Sequence, residues 1–313
     1  MADLEFWSNK RVLVTGGAGF LGSYVVENLT RERAVPSAQI VVPRSTETDL
    51  RILENCLRAV QGCDIVIHLA AVTGGIGFSR THSASQYYDC TLIDLNMAEA
   101  ARRLAVQKMV AIGNLFAYAS DAPIPLIEET LFDGLPAAPH RGVGLVKRNL
   151  ALIADVYYRQ YQLPMVVVFS ANAYGPRDSL DPIHAHVIPS TIMKCFRDDS
   201  LIVWGDGTAS RDFLFAEDIA EGLLAAAEKL DPPLFVNIGS ESEISVRQLI
   251  ETITRLTCFR GEVSYDASKG GGDVKRVAST AKARQLLGFQ PRTSIDDGLK
   301  RTVEWYRAHL LKS

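Results

Sequence analysis

Three short stretches hold side chains able to do chemistry. Residues 141–148 read RGVGLVKR, with Lys147 set among apolar neighbours at the start of an amphipathic run. An ammonium so placed can donate hydrogen bonds to the hydroxyls of a bound ligand. One helical turn earlier stands Val143, which can neither give nor take a proton. Residues 110–118, VAIGNLFAY, close an apolar run at Asn114, whose amide can donate to a carbonyl but cannot shuttle a proton. Residues 186–189, HVIP, offer His186, an imidazole that titrates near physiological pH.

A fourth stretch is built for binding. In residues 11–26, RVLVTGGAGFLGSYVV, a β-branched run meets Gly16, Gly17, Gly19 and Gly22, and apolar residues at helical spacing follow. Strand, glycine turn and helix in that order suit a dinucleotide. Gly16 permits the turn, Gly19 lets backbone approach a pyrophosphate, and Gly22 lets helix pack on strand. The helix start, at Phe20 and Leu21, presents free N–H groups to phosphate.

Short apolar runs at 12–14, 40–42, 65–69, 109–112, 165–169 and 235–238, with helical patterns at 85–104 and 147–161 between them, predict a doubly wound parallel α/β sheet. In such a sheet, ligands meet the carboxyl ends of the strands. There lie Ala70 and Ala71, closing CDIVIHLAA, and Arg44 in VVPRST. No acid ends that second strand to take a ribose 2′-OH, while Arg44 can pair with a 2′-phosphate, so NADP is favoured over NAD. Asp49 and Asp64 can cap helices or reach adenine. His68 lies inside an apolar strand and reads as structural.

Composition limits the partners. The chain has 313 residues and a net charge of −3, with basic residues scattered, so no bulk field attracts nucleic acid or an anionic membrane. No apolar run reaches the roughly 18 residues of a membrane span, and MADLEFWSNKR lacks the order of a secretory signal, which together suggest a cytoplasmic protein. Five dispersed cysteines without a CxxC pair argue against disulfides and against a zinc site.

TGGAGFLG, HLAA, the lysine helix, NAYGPRD, HVIP, WGDGTASRDFLFAEDIA and LLGFQP occur in an order that resembles the extended short-chain dehydrogenases/reductases. The GGI loop at 74–76, HVIP and the WGxGT stretch resemble the GDP-L-fucose synthase branch, which epimerises and reduces a GDP-4-keto sugar. The resemblance runs from about residue 10 to 306. It implies a Rossmann domain of 1–170 plus about 212–240, and a substrate domain of 171–211 plus about 241–313. It also implies that Lys147 holds the nicotinamide ribose and that His186 serves epimerisation. Asn172, Lys194, Trp204, Arg211 and Arg276 would line the nucleotide-sugar site. Trp204 alternatively reads as a core aromatic. The helices at 85–104 and 147–161 would pair two copies into a homodimer.

The chain departs from that branch at its chemical centre. The family's tyrosine, serine and epimerising cysteine fall at Val143, Asn114 and Phe116. A substitute proton donor must be sought among His186, the best placed by its motif, His140, Tyr118, Tyr87 and Tyr88. His140 and His184 read as surface residues, and Tyr118 as structural. Three functions follow: an NADP-dependent nucleotide-sugar reductase/epimerase, an epimerase without net redox, or a relative that binds without turnover.

Overall fold

The computed structural model describes residues 2–181, 185–269 and 275–310. A short helix α1 (Leu4–Trp7) precedes β1 (Val12–Thr15), α2 (Phe20–Arg31), β2 (Ile40–Val41), α3 (Leu53–Val60) and β3 (Ile65–His68). Then come α4 (Ile76–Thr81), α5 (Ser83–Arg103), β4 (Lys108–Asn114), α6 (Arg141–Tyr161) and β5 (Met165–Ser170). The chain continues through β6 (Asn172–Tyr174), α7 (Val187–Arg197), β7 (Ser200–Trp204), β8 (Ser210–Arg211), β9 (Phe213–Phe215), α8 (Ala216–Lys229) and β10 (Leu234–Ile238). It closes with β11 (Ile244–Ser245), α9 (Val246–Thr257), β12 (Glu262–Asp266), β13 (Lys275–Arg276), α10 (Ala281–Leu287) and α11 (Ile295–Leu310).

The six-stranded sheet runs β10-β5-β4-β3-β1-β2 and every pair in it is parallel. Parallel strands covered by helices on both faces need apolar residues on both faces, and β5, MVVVFS, is buried at all six positions. Helices α2 and α8 cover one face, and α3, α5 and α6 the other. Strands β2 and β3 lie on opposite sides of β1, so the order reverses there and opens a crevice at the strands' carboxyl ends.

A second core forms around Ile188, Ile192, Phe213, Leu249, Ile253, Leu299 and Tyr306. It joins α7, α9 and α11 with the short pairs β7–β12 and β6–β9. The chain crosses between cores more often than the 171–211 plus 241–313 allotment implies, because Ala278, Ala283, Leu287 and Phe289 pack on the first core. Residues 270–274, most of the glycine-rich SKGGGD, and His184 lie outside the described residues. Among the described residues no helix is long and apolar enough to cross a membrane.

Candidate active site

The glycine turn has the geometry its spacing predicts. Gly16 sits at φ +69°, and Gly19 N–H donates to Gly16 O at 2.9 Å. A Cβ on Gly22 would stand 2.1 Å from Gly16 O, so helix and turn approach too closely for any side chain there. Helix α2 starts at Phe20 with no side-chain cap, leaving its first N–H groups for the cleft that Gly16, Gly19, Phe20, Leu21 and Gly22 line.

Facing this turn are Ala70 and Ala71. The N–H groups of Leu69 and Ala70 donate to Thr15 Oγ1 at 3.1 and 3.2 Å. Thr15 Oγ1 in turn lies 2.8 Å from His68 Nδ1, and His68 Nε2 lies 3.1 Å from Asp94 Oδ1. His68 is thus a buried brace between two strand ends. Arg44 is exposed on the cleft lip beyond β2. Asp49 and Arg51 stand beside it as an ion pair at 2.8 Å, and the guanidinium's hydrogen bonds hold the Asp49 carboxyl below its ordinary pKa. Asp64 is elsewhere, accepting from Arg11 N–H and Gln107 Nε2 at 2.8 Å each.

Between the two cores lies the row of chemical interest. Asn114 ends β4, and its Oδ1 accepts from Phe116 N–H at 3.1 Å, capping the turn Leu115–Ala117. That bond fixes the amide and leaves its Nδ2 donor to the cleft. Helix α6 brings Val143 and Lys147 to the same wall. Lys147 is only 7 % exposed, yet its ammonium has no hydrogen bond or ion pair among the described residues. A buried cation without a partner is costly, so this arrangement suits a polar ligand delivered from outside.

His140 is not on the surface as expected. It is 8 % exposed, lines the cleft and stacks on Phe116 with ring centroids 4.1 Å apart. The residue before it is Pro139 in a loop-like stretch, so nothing nearby in sequence announced the burial. Tyr118 is fully buried and donates to Asn237 Oδ1 at 2.7 Å. Tyr88 is exposed on α5. His186 caps α7 at the cleft rim, its Nδ1 3.1 Å from Asp178 Oδ2. Protein crowds this imidazole although 48 % of its side chain reaches solvent. The crowding favours the neutral ring, but the hydrogen bond and charge of Asp178 outweigh it and raise the pKa above the ordinary value.

The far wall carries the other expected residues. Asn172 Nδ2 donates to Asp212 O at 2.9 Å, so its carbonyl oxygen is the group left for a ligand. Lys194 is exposed on α7, and Arg211 donates to Ser210 O at 2.7 Å; both line the cleft. Trp204 is half exposed there, at 50 %, and is not a core aromatic. Arg276 departs from expectation. It is buried away from the cleft lining, with Nη1 and Nη2 donating to Leu115 O at 2.9 Å and Ala119 O at 3.2 Å. Pairing of β13 with β8 turns it inward, where it braces the turn after β4 rather than meeting a diphosphate. Arg51, on the cleft lip, is a cation to which sequence reading gave no role.

The expected cofactor and substrate residues other than Arg276, together with Asn114, His140, Val143 and Lys147, line one continuous cleft of about 1790 Å³. Pockets for one drug-sized ligand are about 300 to 1,000 Å³, so this one has room for two.

Residues 12–239 match the NAD dependent epimerase/dehydratase family. A putative GDP-L-fucose synthase 2 of Oryza sativa subsp. japonica is 30% identical over 322 residues, covering 98% of this chain and 90% of the rice protein. Among solved structures, a UDP-glucose 4-epimerase of Thermotoga maritima with UDP-glucose superposes with a TM-score of 0.84 at 27% identity, covering 96% of this chain and 99% of that one. A GDP-L-fucose synthetase of Naegleria fowleri bound to NADP superposes with a TM-score of 0.85 at 25% identity, covering 97% and 96%.

Proposed function

Because the chain belongs to the NAD dependent epimerase/dehydratase family, we propose that it is an NADP(H)-dependent oxidoreductase/epimerase of a nucleotide sugar, with a GDP-sugar favoured. The observation that carries this reading is the single cleft of about 1790 Å³ joining the glycine turn and Lys147 to Trp204, Lys194 and Arg211. The NADP bound in the Naegleria fowleri relative supports the cofactor, and the GDP-L-fucose synthases among the relatives support the base.

In this reading the N–H groups at Gly19 to Gly22 hold the pyrophosphate, Arg44 takes the 2′-phosphate, and Ala70 and Ala71 flank the cofactor. Lys147 holds the nicotinamide ribose hydroxyls, which satisfies its ammonium. Asn114 Nδ2 donates to the sugar carbonyl and polarises it. The reduced nicotinamide supplies the hydride. Asn172 orients the sugar, Lys194 and Arg211 pair with the diphosphate, and Trp204 covers the base. His186, held by Asp178, moves protons at carbon for epimerisation.

The first core is the cofactor side and the second the substrate side. A homodimer and a cytoplasmic location belong to the same proposal. Helices α5 and α6 pack side by side and expose Leu95, Leu152, Val156 and Tyr161, which supports a shared helical face.

A second reading, an epimerase without net redox, rests on the sequence resemblance, which puts Asn114 and Val143 at the family's serine and tyrosine positions and His186 at its histidine. The test incubates the protein with NADPH and GDP-4-keto-6-deoxymannose in D2O and reads the product by mass spectrometry. Product reduced by two hydrogens and carrying carbon-bound deuterium is the expected result. Deuterium without reduction favours the second reading. Unchanged substrate means either that the protein acts on another substrate or that it only binds.

A further inference from the structure

We propose that His140 is the proton donor to the sugar carbonyl oxygen, filling the role that Val143 cannot. This rests on the oxidoreductase reading above. His140 stands three residues before Val143 and seven before Lys147. His140 is the N-cap residue of α6, Val143 and Lys147 follow within the helix, and all three line the cleft. Stacking on Phe116, 4.1 Å away, holds the imidazole in place. Phe116 follows two residues after Asn114 and is tied to it by the 3.1 Å bond from its N–H to Asn114 Oδ1. The ring that can give a proton and the amide that can polarise a carbonyl are therefore fixed to the same turn.

The other cleft imidazoles are less suited. His82 is exposed, stacked on Phe78, with Nδ1 2.8 Å from Thr81 Oγ1. His186 belongs to the opposite wall, at the start of α7. An imidazolium has an N–H on each ring nitrogen and is left as a neutral ring when one proton is given away. Hydride addition to the carbonyl carbon forms a C–H bond and moves the C=O π pair onto oxygen. The imidazolium N–H of His140 breaks as its proton passes to that oxygen, giving an alcohol. NADPH is oxidised to NADP⁺ in the same event, and water at the cleft mouth reprotonates the ring.

The experiment compares wild type, His140→Gln and His140→Gln/Val143→Tyr with NADPH and GDP-4-keto-6-deoxymannose. His140→Gln is expected to lower kcat by roughly 10²- to 10⁴-fold, the usual worth of a general acid, with the NADPH Kd unchanged. The added tyrosine, one turn from Lys147, is expected to restore turnover. A readout independent of turnover is the imidazole NMR signal of wild-type His140 on adding GDP-mannose, expected to shift because the ring meets the sugar. Wild-type turnover with His140→Gln within about threefold of it, or an unmoved ring signal on saturation, overturns the assignment and leaves the oxidoreductase reading standing. No wild-type turnover removes that reading and the assignment with it.

Discussion

Lys147→Met separates a ligand-binding lysine from a structural one, because the two roles move stability in opposite directions. The side chain is 7 % exposed and its ammonium has no hydrogen bond or ion pair among the described residues, so removing it breaks no such bond in the free protein. Methionine keeps the length and apolar stem and removes the charge. Without nucleotide, the variant should melt at the wild-type temperature or up to a few degrees higher, at about 2 °C per kcal/mol for a chain of this size. With NADPH the sign reverses. A hydrogen bond from a charged donor is worth about 1.5 to 3 kcal/mol, which weakens the Kd roughly 10- to 150-fold. At a concentration one hundred times the wild-type Kd, ligand stabilises wild type by about 2.7 kcal/mol and the variant by only ~0.3 to ~1.4 kcal/mol. Scanning fluorimetry with and without NADPH reads both effects. A variant that melts several degrees lower and binds NADPH as wild type does would show that Lys147 supports the fold, and the cofactor role would have to be abandoned.

Three further substitutions probe the same cleft. Arg44→Ala should weaken NADPH about tenfold and leave NADH unchanged in fluorescence titrations; equal losses for both cofactors would exclude a 2′-phosphate contact. Arg276→Met strands the carbonyls of Leu115 and Ala119, at about 1 to 3 kcal/mol for each buried group left unpaired, so the melting temperature should fall while GDP affinity holds. The reverse pattern would return Arg276 to the diphosphate. For His186, whose folded pKa is raised, the stability gained from Asp178 is fully present below the unfolded pKa of about 6.5 and is lost as pH rises through the folded value. Melting temperatures of wild type and His186→Gln should therefore differ most at acid pH and converge toward alkaline pH; a constant gap would contradict the pairing.

The sheet was readable because its strands obey a strong local rule: MVVVFS and IVIH are buried throughout, and such runs between helical patterns admit few arrangements. The glycine turn was readable because each glycine meets a separate steric demand, seen most plainly at Gly22. Helix α4 was expected as loop, since six residues after two glycines show too little periodicity to register. The second core was harder still. Its strands are two to five residues long and β12 pairs with β7 across sixty-odd positions, so no local pattern announces them. Arg276 and His140 were misplaced for the same reason. Whether a cation in DVKRVAS or an imidazole in LPAAPH faces inward is decided by partners far along the chain, the Leu115 carbonyl and the Phe116 ring.

The groups proposed to bind and those proposed to react are different side chains of one cleft, which explains why the family was legible and the reaction less so. Holding a dinucleotide in this fold needs backbone N–H groups at one helix start, an arginine on the lip and a lysine on α6. None of the cationic side chains among these is hydrogen-bonded to Asn114, Val143 or Phe116 among the described residues. Substituting the side chains at those three positions is therefore expected to alter proton transfer more than cofactor affinity. Proton transfer in turn demands a group within about 3 Å of one oxygen, a requirement met by tertiary placement and not by motif. Phe116 makes the point: its side chain offers no acid or base, yet its ring is what seats His140 on the cleft wall. If that imidazole gives the proton, Asn114, Phe116, Val143 and His140 form one rearranged unit, and restoring tyrosine at 143 alone should make His140 dispensable.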